Sequence, residues 1–166
     1  LEDPMLRESF VERIFAYRRL KSFFGERWTL RELVAFHTEH KMQLLAHSEK
    51  DYRELGRLVA GAKGRSRAEL RDRYSELFMR ALAVRATPRR HANVLQHMAG
   101  HLRGRLDDAS RRELASVIDD YRSELLPLIV PVTLIRHHVR RLGVEYLADQ
   151  VYLEPHPKEL MLRNRV

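Results

Sequence analysis

Apolar positions recur along the chain at the helical spacing of three and four residues, and no segment shows the alternation of a strand. Phe10, Ile14, Tyr17 and Phe24 keep that period from Pro4 until Gly25 stops the segment. Thr29 and Glu32 have the spacing of a capping box, in which side chains satisfy the orphaned N–H groups of a first turn. They predict a second helix running to about Ala46. Ser48 caps a third, with Tyr52, Leu55, Leu58 and Val59 inward, ended by the GAKG run at Gly61. Ser66 and Glu69 form another box, for a helix carrying Leu70, Tyr74, Leu77, Phe78 and Leu82. Thr87-Pro88 is an N-cap followed by a proline in the first turn, opening a fifth helix to about Leu106. Ser110 opens a sixth, with Leu114, Val117, Ile118, Tyr121 and Leu125 on its inner face. Pro127 and Pro131 break it, and Pro131 starts a seventh that runs to Leu142. The end, YLEPHPKELMLRNRV, reads as an extended strap punctuated by prolines, with at most a short helical turn. The pattern predicts one all-α domain of about seven helices over residues 1–166.

Composition narrows what such a domain does. A chain of 166 residues is the usual size of one domain, and 44% hydrophobic with 33% charged residues is the balance of a soluble globule. There is no cysteine, which excludes disulfides, thiolate zinc sites, cysteine nucleophiles and cysteine-held iron–sulfur clusters in this chain. Nothing calls for an oxidising compartment, so a cytoplasmic protein is the expectation. The longest apolar run, Leu125 to Ile135, contains two prolines and falls far short of the roughly 20 residues that span a bilayer. No membrane partner is expected. The first residues, LEDPMLRES, lack the apolar core of a signal peptide, and the start at Leu1 suggests a domain cut from something longer.

The net charge of +8 favours a polyanionic partner. Its distribution sharpens that. Between Leu77 and Leu106 there is no acidic residue, while Arg80, Arg85, Arg89, Arg90, Arg103 and Arg105 fall inside. A second acid-free stretch, Leu125 to Val144, carries Arg136, Arg140 and Arg141 beside His137 and His138. On the fifth helix, Val94, Leu95, Met98 and Leu102 point one way, with His91 among them as a core histidine. Arg90, Asn93, His97, Gly100, His101 and Gly104 form a separate stripe of donors, acceptors and small residues. This stripe is either a recognition face or a helix–helix contact through its glycines.

The second helix carries His37, His40, Lys41 and His47 along the same stripe as Leu30, Leu33, Val34 and Leu44. Buried polar groups need partners, so these side chains either form a network or line a groove. The lysine favours a groove for His37, His40 and Lys41, and a network for His47. His37/His40 and His97/His101 have spacings that put two metal ligands on one helical face, yet no third ligand stands at a recognisable spacing, and no H-E-x-x-H is present. No metal and no cofactor are expected. P-loop, G-x-G-x-x-G and G-x-S-x-G motifs are absent.

The segments FHTEHKMQLLAHSEKDYRELGRLVA, RHANVLQHMAG and QVYLEPHPKELMLRNRV together resemble the YbgA-type domain of unknown function, from FVERIFAYRRL at Phe10 to the LRNRV terminus. A departure falls at His101-Leu102, where members of that family tend to carry Tyr-Phe. The resemblance implies a domain that occurs alone or fused behind a cysteine-rich desulfidase related to thiouracil desulfidases. In the fused proteins, which remove sulfur from 4-thiouridine in tRNA, it implies that this domain holds the RNA. The iron–sulfur chemistry belongs to the other domain, because this chain has no cysteine.

Residues and resemblance together lead to an RNA-binding module for tRNA, serving a desulfidase in the same polypeptide or in trans. Phosphates are expected on Arg85, Arg89, Arg90, Arg103, Arg136, Arg140 and Arg141, with Asn93, His97 and His101 contacting sugar or base edges. Catalytic residues are not assigned, and the chain is expected to be accessory to an enzyme. The alternatives are a small enzyme using His37, His40 and Lys41 for acid–base work, or an interaction domain for an acidic protein.

Overall fold

The computed structural model describes residues 4–160 and 162–164, with side chains from residue 6 onward. Met161 and the last two residues of the LRNRV motif lie outside the described residues, as does the start of the LEDPMLRES segment. The protein is all-α, with no strand among the described residues. The helices cluster into two compact units, residues 1–86 and 87–166.

The first unit contains α1 (Pro4–Gly25), α2 (Leu30–Glu39), α3 (Lys41–His47), α4 (Glu49–Ala60) and α5 (Arg67–Ala83). The caps do what their residue types require. Thr29 and Glu32 close the capping box of α2, Ser48 accepts from Asp51 N–H at the start of α4, and Ser66 accepts from Glu69 N–H at the start of α5. The expected second helix is interrupted at His40, whose backbone (φ −93°, ψ 0°) separates α2 from α3. The His40 ring Nδ1–H donates back to the Phe36 carbonyl at 2.7 Å, an oxygen that also accepts from the His40 backbone N–H at 3.2 Å where one helix gives way to the next. The core is built on Ala16, Leu20, Leu33, Phe36, Leu44, Leu55, Tyr74 and Phe78. An aromatic layer of Phe23, Phe24, Trp28 and Phe36 closes it, with Phe23 stacked on Phe36 at 4.8 Å. Arg67 covers the Trp28 ring at 4.7 Å.

Helix α1 is rotated relative to the face that its apolar period suggests. Phe10, Ile14 and Tyr17 are 52%, 43% and 49% exposed, and it is Glu12, Ala16 and Leu20 that are buried. A period of 3.6 identifies a face; it does not say which way the face points.

The second unit contains α6 (Pro88–Leu102), α7 (Asp108–Arg122), α8 (Ile129–Leu142) and α9 (Glu145–Ala148), followed by 3₁₀ turns at Val151–Leu153 and Lys158–Leu160. Its core joins Val94, Leu95, Met98 and Leu102 of α6 to Leu114 and Ile118 of α7 and to Val132, Ile135 and Val139 of α8. Helix α6 ends four residues before Leu106, and α7 is capped by Asp107 in place of Ser110, its carboxylate accepting from Ser110 N–H. Pro131 sits in the first turn of α8, where a missing N–H costs nothing. Gly143 adopts the left-handed conformation (φ 61°) that terminates α8. The strap folds back through His91, whose Nδ1 lies 2.9 Å from the Tyr152 hydroxyl, and through Arg163, which donates to the Tyr152 carbonyl at 2.7 Å. His91 is thus the core histidine that its position in the apolar stripe suggests.

Candidate nucleic-acid interface

The expected phosphate contacts divide between the units. Arg85 belongs to the first; Arg89, Arg90, Arg103, Arg136, Arg140 and Arg141 belong to the second. Residues 87–166 carry 13 Lys and Arg against 10 Asp and Glu, so the excess cation is not concentrated there by count. What matters is which cations are engaged. Arg80, in the first acid-free stretch, is bound by Asp51 at 2.6 Å and Glu54 at 2.5 Å across α4 and α5. These bonds hold the Asp51 carboxyl below its ordinary value: burial pushes it up, but hydrogen bonds from Ser48 and Arg80 outweigh that. Arg136 reaches Glu154 of the strap at 2.7 Å and is only 21% exposed. Arg89, Arg90, Arg103, Arg140 and Arg141 are exposed.

Helix α6 presents Arg89, Arg90, Asn93, His97, Gly100 and His101 outward, opposite its buried Val94, Leu95 and Met98. The two glycines discriminate between the readings of this stripe. A Cβ placed on Gly100 or Gly104 meets nothing within 4 Å. Among the described residues no helix packs closely on these small residues, which favours an open face over a helix–helix contact.

Helix α8 offers a second surface, a shallow hollow lined by Thr133, Arg136, His137, Arg140 and Arg141. These positions follow the helical period and form one outward face. The two helices converge at their C-terminal ends. Arg105 donates to the Leu142 carbonyl at 3.3 Å, and the His101 ring lies 5.0 Å from Tyr146. Tyr146 and Arg105 complete this corner although the sequence reasoning placed neither in the site. The signal for Tyr146 is its position three residues past the Gly143 cap, a turn that folds α9 back onto α8. Asp107 also stands here: its carboxyl is held below the ordinary range by the Ser110 backbone and side chain, with Arg141 adding attraction.

The second-helix histidines do not line a groove. His40 is 1% exposed and His37 is 9% exposed, while Lys41 is half-buried. His37 stacks on Tyr52 at 5.4 Å with rings nearly parallel, and its Nδ1 is 3.2 Å from the Tyr74 hydroxyl. His40 stacks on Phe36 at 4.1 Å. Burial drives both imidazoles down to about 4, with Lys41 adding repulsion at His37 and Arg19 and His37 adding it at His40. Such histidines are neutral packing groups near pH 7, poorly matched to acid–base turnover. The groove expectation for His37 and His40 therefore gives way to buried histidines, each with its own hydrogen-bond partner, as expected for His47 alone, while Lys41 beside them is half-buried. His47 Nδ1–H donates to the Val84 carbonyl at 2.7 Å. Among the described residues no cluster of three metal-ligating side chains occurs, and no helix is long and apolar enough to cross a membrane.

Residues 41–157 match the family described as "Protein of unknown function (DUF1722)". The protein named "Uncharacterized protein YbgA", from Escherichia coli (strain K12), is 33% identical over 158 residues, covering 95% of this chain and 94% of its own length. No solved structure matches the chain.

Proposed function

The chain belongs to the DUF1722 family, and within it we propose that this protein is an RNA-binding module whose second unit holds tRNA. The observation that carries the reading is the open face of α6, where Asn93, His97 and His101 stand among exposed arginines, with Gly100 and, just past the helix end, Gly104 meeting no described residue. Folded RNA is recognised through phosphates, 2′-hydroxyls and exposed bases, for which cations, short polar side chains and aromatic rings are the fitting groups. The corner of His101 and Tyr146, flanked by Arg103 and Arg105, supplies rings beside charge in that sense. With no cysteine and with its buried histidines neutral, the chain acts as an accessory to a catalyst. The partner enzyme is a cysteine-rich iron–sulfur desulfidase acting on 4-thiouridine, in the same polypeptide or in trans, and the setting is the cytoplasm.

The test is anisotropy of labelled total tRNA, against duplex DNA, across a salt series. Arg89, Arg90, Arg103, Arg140 and Arg141, the exposed phosphate contacts expected on the second unit, give a slope of log K against log salt of about −3.5 to −4.5 if each neutralises one phosphate. A flat salt response, or equal affinity for duplex DNA, overturns the reading.

A further inference from the structure

The outward face of α1 has no role in the RNA reading, and its composition is unusual. Phe10, Ile14, Tyr17 and Lys21 are spaced four, three and four residues apart, the spacing of a coiled-coil seam. All four are exposed, and Leu6 extends the row by one further turn at 46% exposure. Three large apolar side chains near half exposure on one helical line exceed the scattered surface apolars of an ordinary monomer. The first unit's core is met instead by Ala16, Leu20 and Phe23, which lie to one side of this row on α1.

The charges beside the seam say what fits it. Arg13 and Arg18 flank Ile14 and Tyr17 on either side, with Arg7 near the N-terminal end and Lys21 itself closing the row. The acidic side chains of α1 within the described residues point elsewhere: Glu12 is buried at 3% exposure, and Glu8 lies on the far side from Phe10 at 100° per residue. In a seam of this kind the flanking charges select the partner. Self-pairing sets arginine against arginine, because a parallel copy brings Arg13 opposite Arg18 and an antiparallel copy brings each opposite itself. We propose that the outward face of α1 docks an amphipathic helix of another protein, one whose apolar stripe is flanked by Asp or Glu. This is a helix laid along a helix, with apolar anchors giving affinity and flanking charges giving selection. It belongs to the first unit, whereas the proposed RNA face belongs to the second.

The experiment uses the full chain and two synthetic helices of about four heptads, identical in their Leu and Ile seam, with Glu or with Lys at every flanking position. Calorimetric titration is expected to show micromolar binding of the Glu peptide and at least about tenfold weaker binding of the Lys peptide. The double variant Phe10→Ser, Ile14→Ser is expected to lose the Glu peptide by at least about tenfold while its melting temperature and tRNA binding stay unchanged. Failure of the Glu peptide to bind, or equal binding of both peptides, overturns the proposal. So does a wild-type dimer in sedimentation equilibrium that the double variant abolishes, which assigns the seam to a second copy. Binding to phosphatidylglycerol vesicles without peptide binding assigns it to a lipid surface and likewise overturns it.

Discussion

The Gln43 side-chain amide donates to Glu12 Oε1 at 2.8 Å, tying the middle of α3 to the inward face of α1. His47 Nε2 lies 3.6 Å from the other carboxylate oxygen, while its Nδ1–H is committed to Val84. This polar join fixes the rotation of α1: it draws Glu12 inward, and Phe10 and Ile14 must then face out. Glu12→Ala leaves the Gln43 amide buried without its acceptor, at a cost of about 1–3 kcal/mol. For a protein of this size that lowers the melting temperature by roughly 2–10 °C. Phe10→Ala on the same helix is expected to change stability by less than about 0.5 kcal/mol, despite removing a larger apolar side chain. Thermal melts of the two variants check the rotation, because the opposite ranking would turn α1 over.

Acid should destabilise the protein through His37 and His40. His37 and His40 are held down at about 4 by burial, against an unfolded value near 6.5. The unfolded chain therefore binds protons first as the pH falls. Stability is full above about pH 6.5 and declines toward pH 4, at up to about 1.4 kcal/mol per pH unit for each histidine. Urea unfolding at pH 7 and pH 5 measures the decline. His40→Phe preserves the stack on Phe36 and removes one titrating group, so its slope should be shallower than that of the wild type. A pH-independent midpoint between 7 and 5 would contradict the buried, neutral assignment.

Local chemistry in the sequence is what survived folding. Thr29, Ser48, Ser66 and Thr87 mark helix starts because an N-cap is decided by its own side chain and the N–H groups two or three residues on. The open stripe on α6 was legible for the same reason, since the apolar set beside it is unambiguous. The break at His40 was not, because it depends on a ring bonding to the Phe36 carbonyl within an unbroken apolar period. Nor was the rotation of α1, which rests on Glu12 meeting Gln43, 31 positions away. The acid-free stretches misled in one respect. Arg80 and Arg136 find carboxylates on α4 and on the strap, partners that no window of sequence contains.

Gly100 of α6 gives the proposed RNA face a signature that a structural role would not. Gly100 lies within the helix and a Cβ there meets nothing. Gly100→Ala should accordingly raise stability by about 0.5–1 kcal/mol, by relieving the entropy cost of glycine in a helix. If RNA backbone approaches that surface, the same methyl weakens tRNA binding. A variant that is more stable and binds less tightly supports the face. Higher stability with unchanged affinity moves the contact away from Gly100, toward the corner of His101 and Tyr146.

Glu154 is expected to restrain binding. It holds Arg136 at 2.7 Å on the face of α8 that also carries His137, Arg140 and Arg141. Any phosphate that reaches Arg136 must first displace this carboxylate, which is itself 56% exposed and repels the approaching anion. Glu154→Gln removes the repulsion and frees the guanidinium. Because the Glu154 carboxylate is mostly exposed, although Arg136 is largely buried, its loss should cost about 1 kcal/mol of stability. The gain should show in tRNA affinity at low salt, with the slope of log K against log salt steepening by about 0.7 to 0.9 as one more phosphate contact forms. Arg136→Gln in the wild-type background should change the slope little, since Arg136 is already occupied. In the Glu154→Gln background it should restore the wild-type slope. That pair of outcomes separates an arginine masked by its neighbour from one that never meets RNA, which would leave all slopes alike.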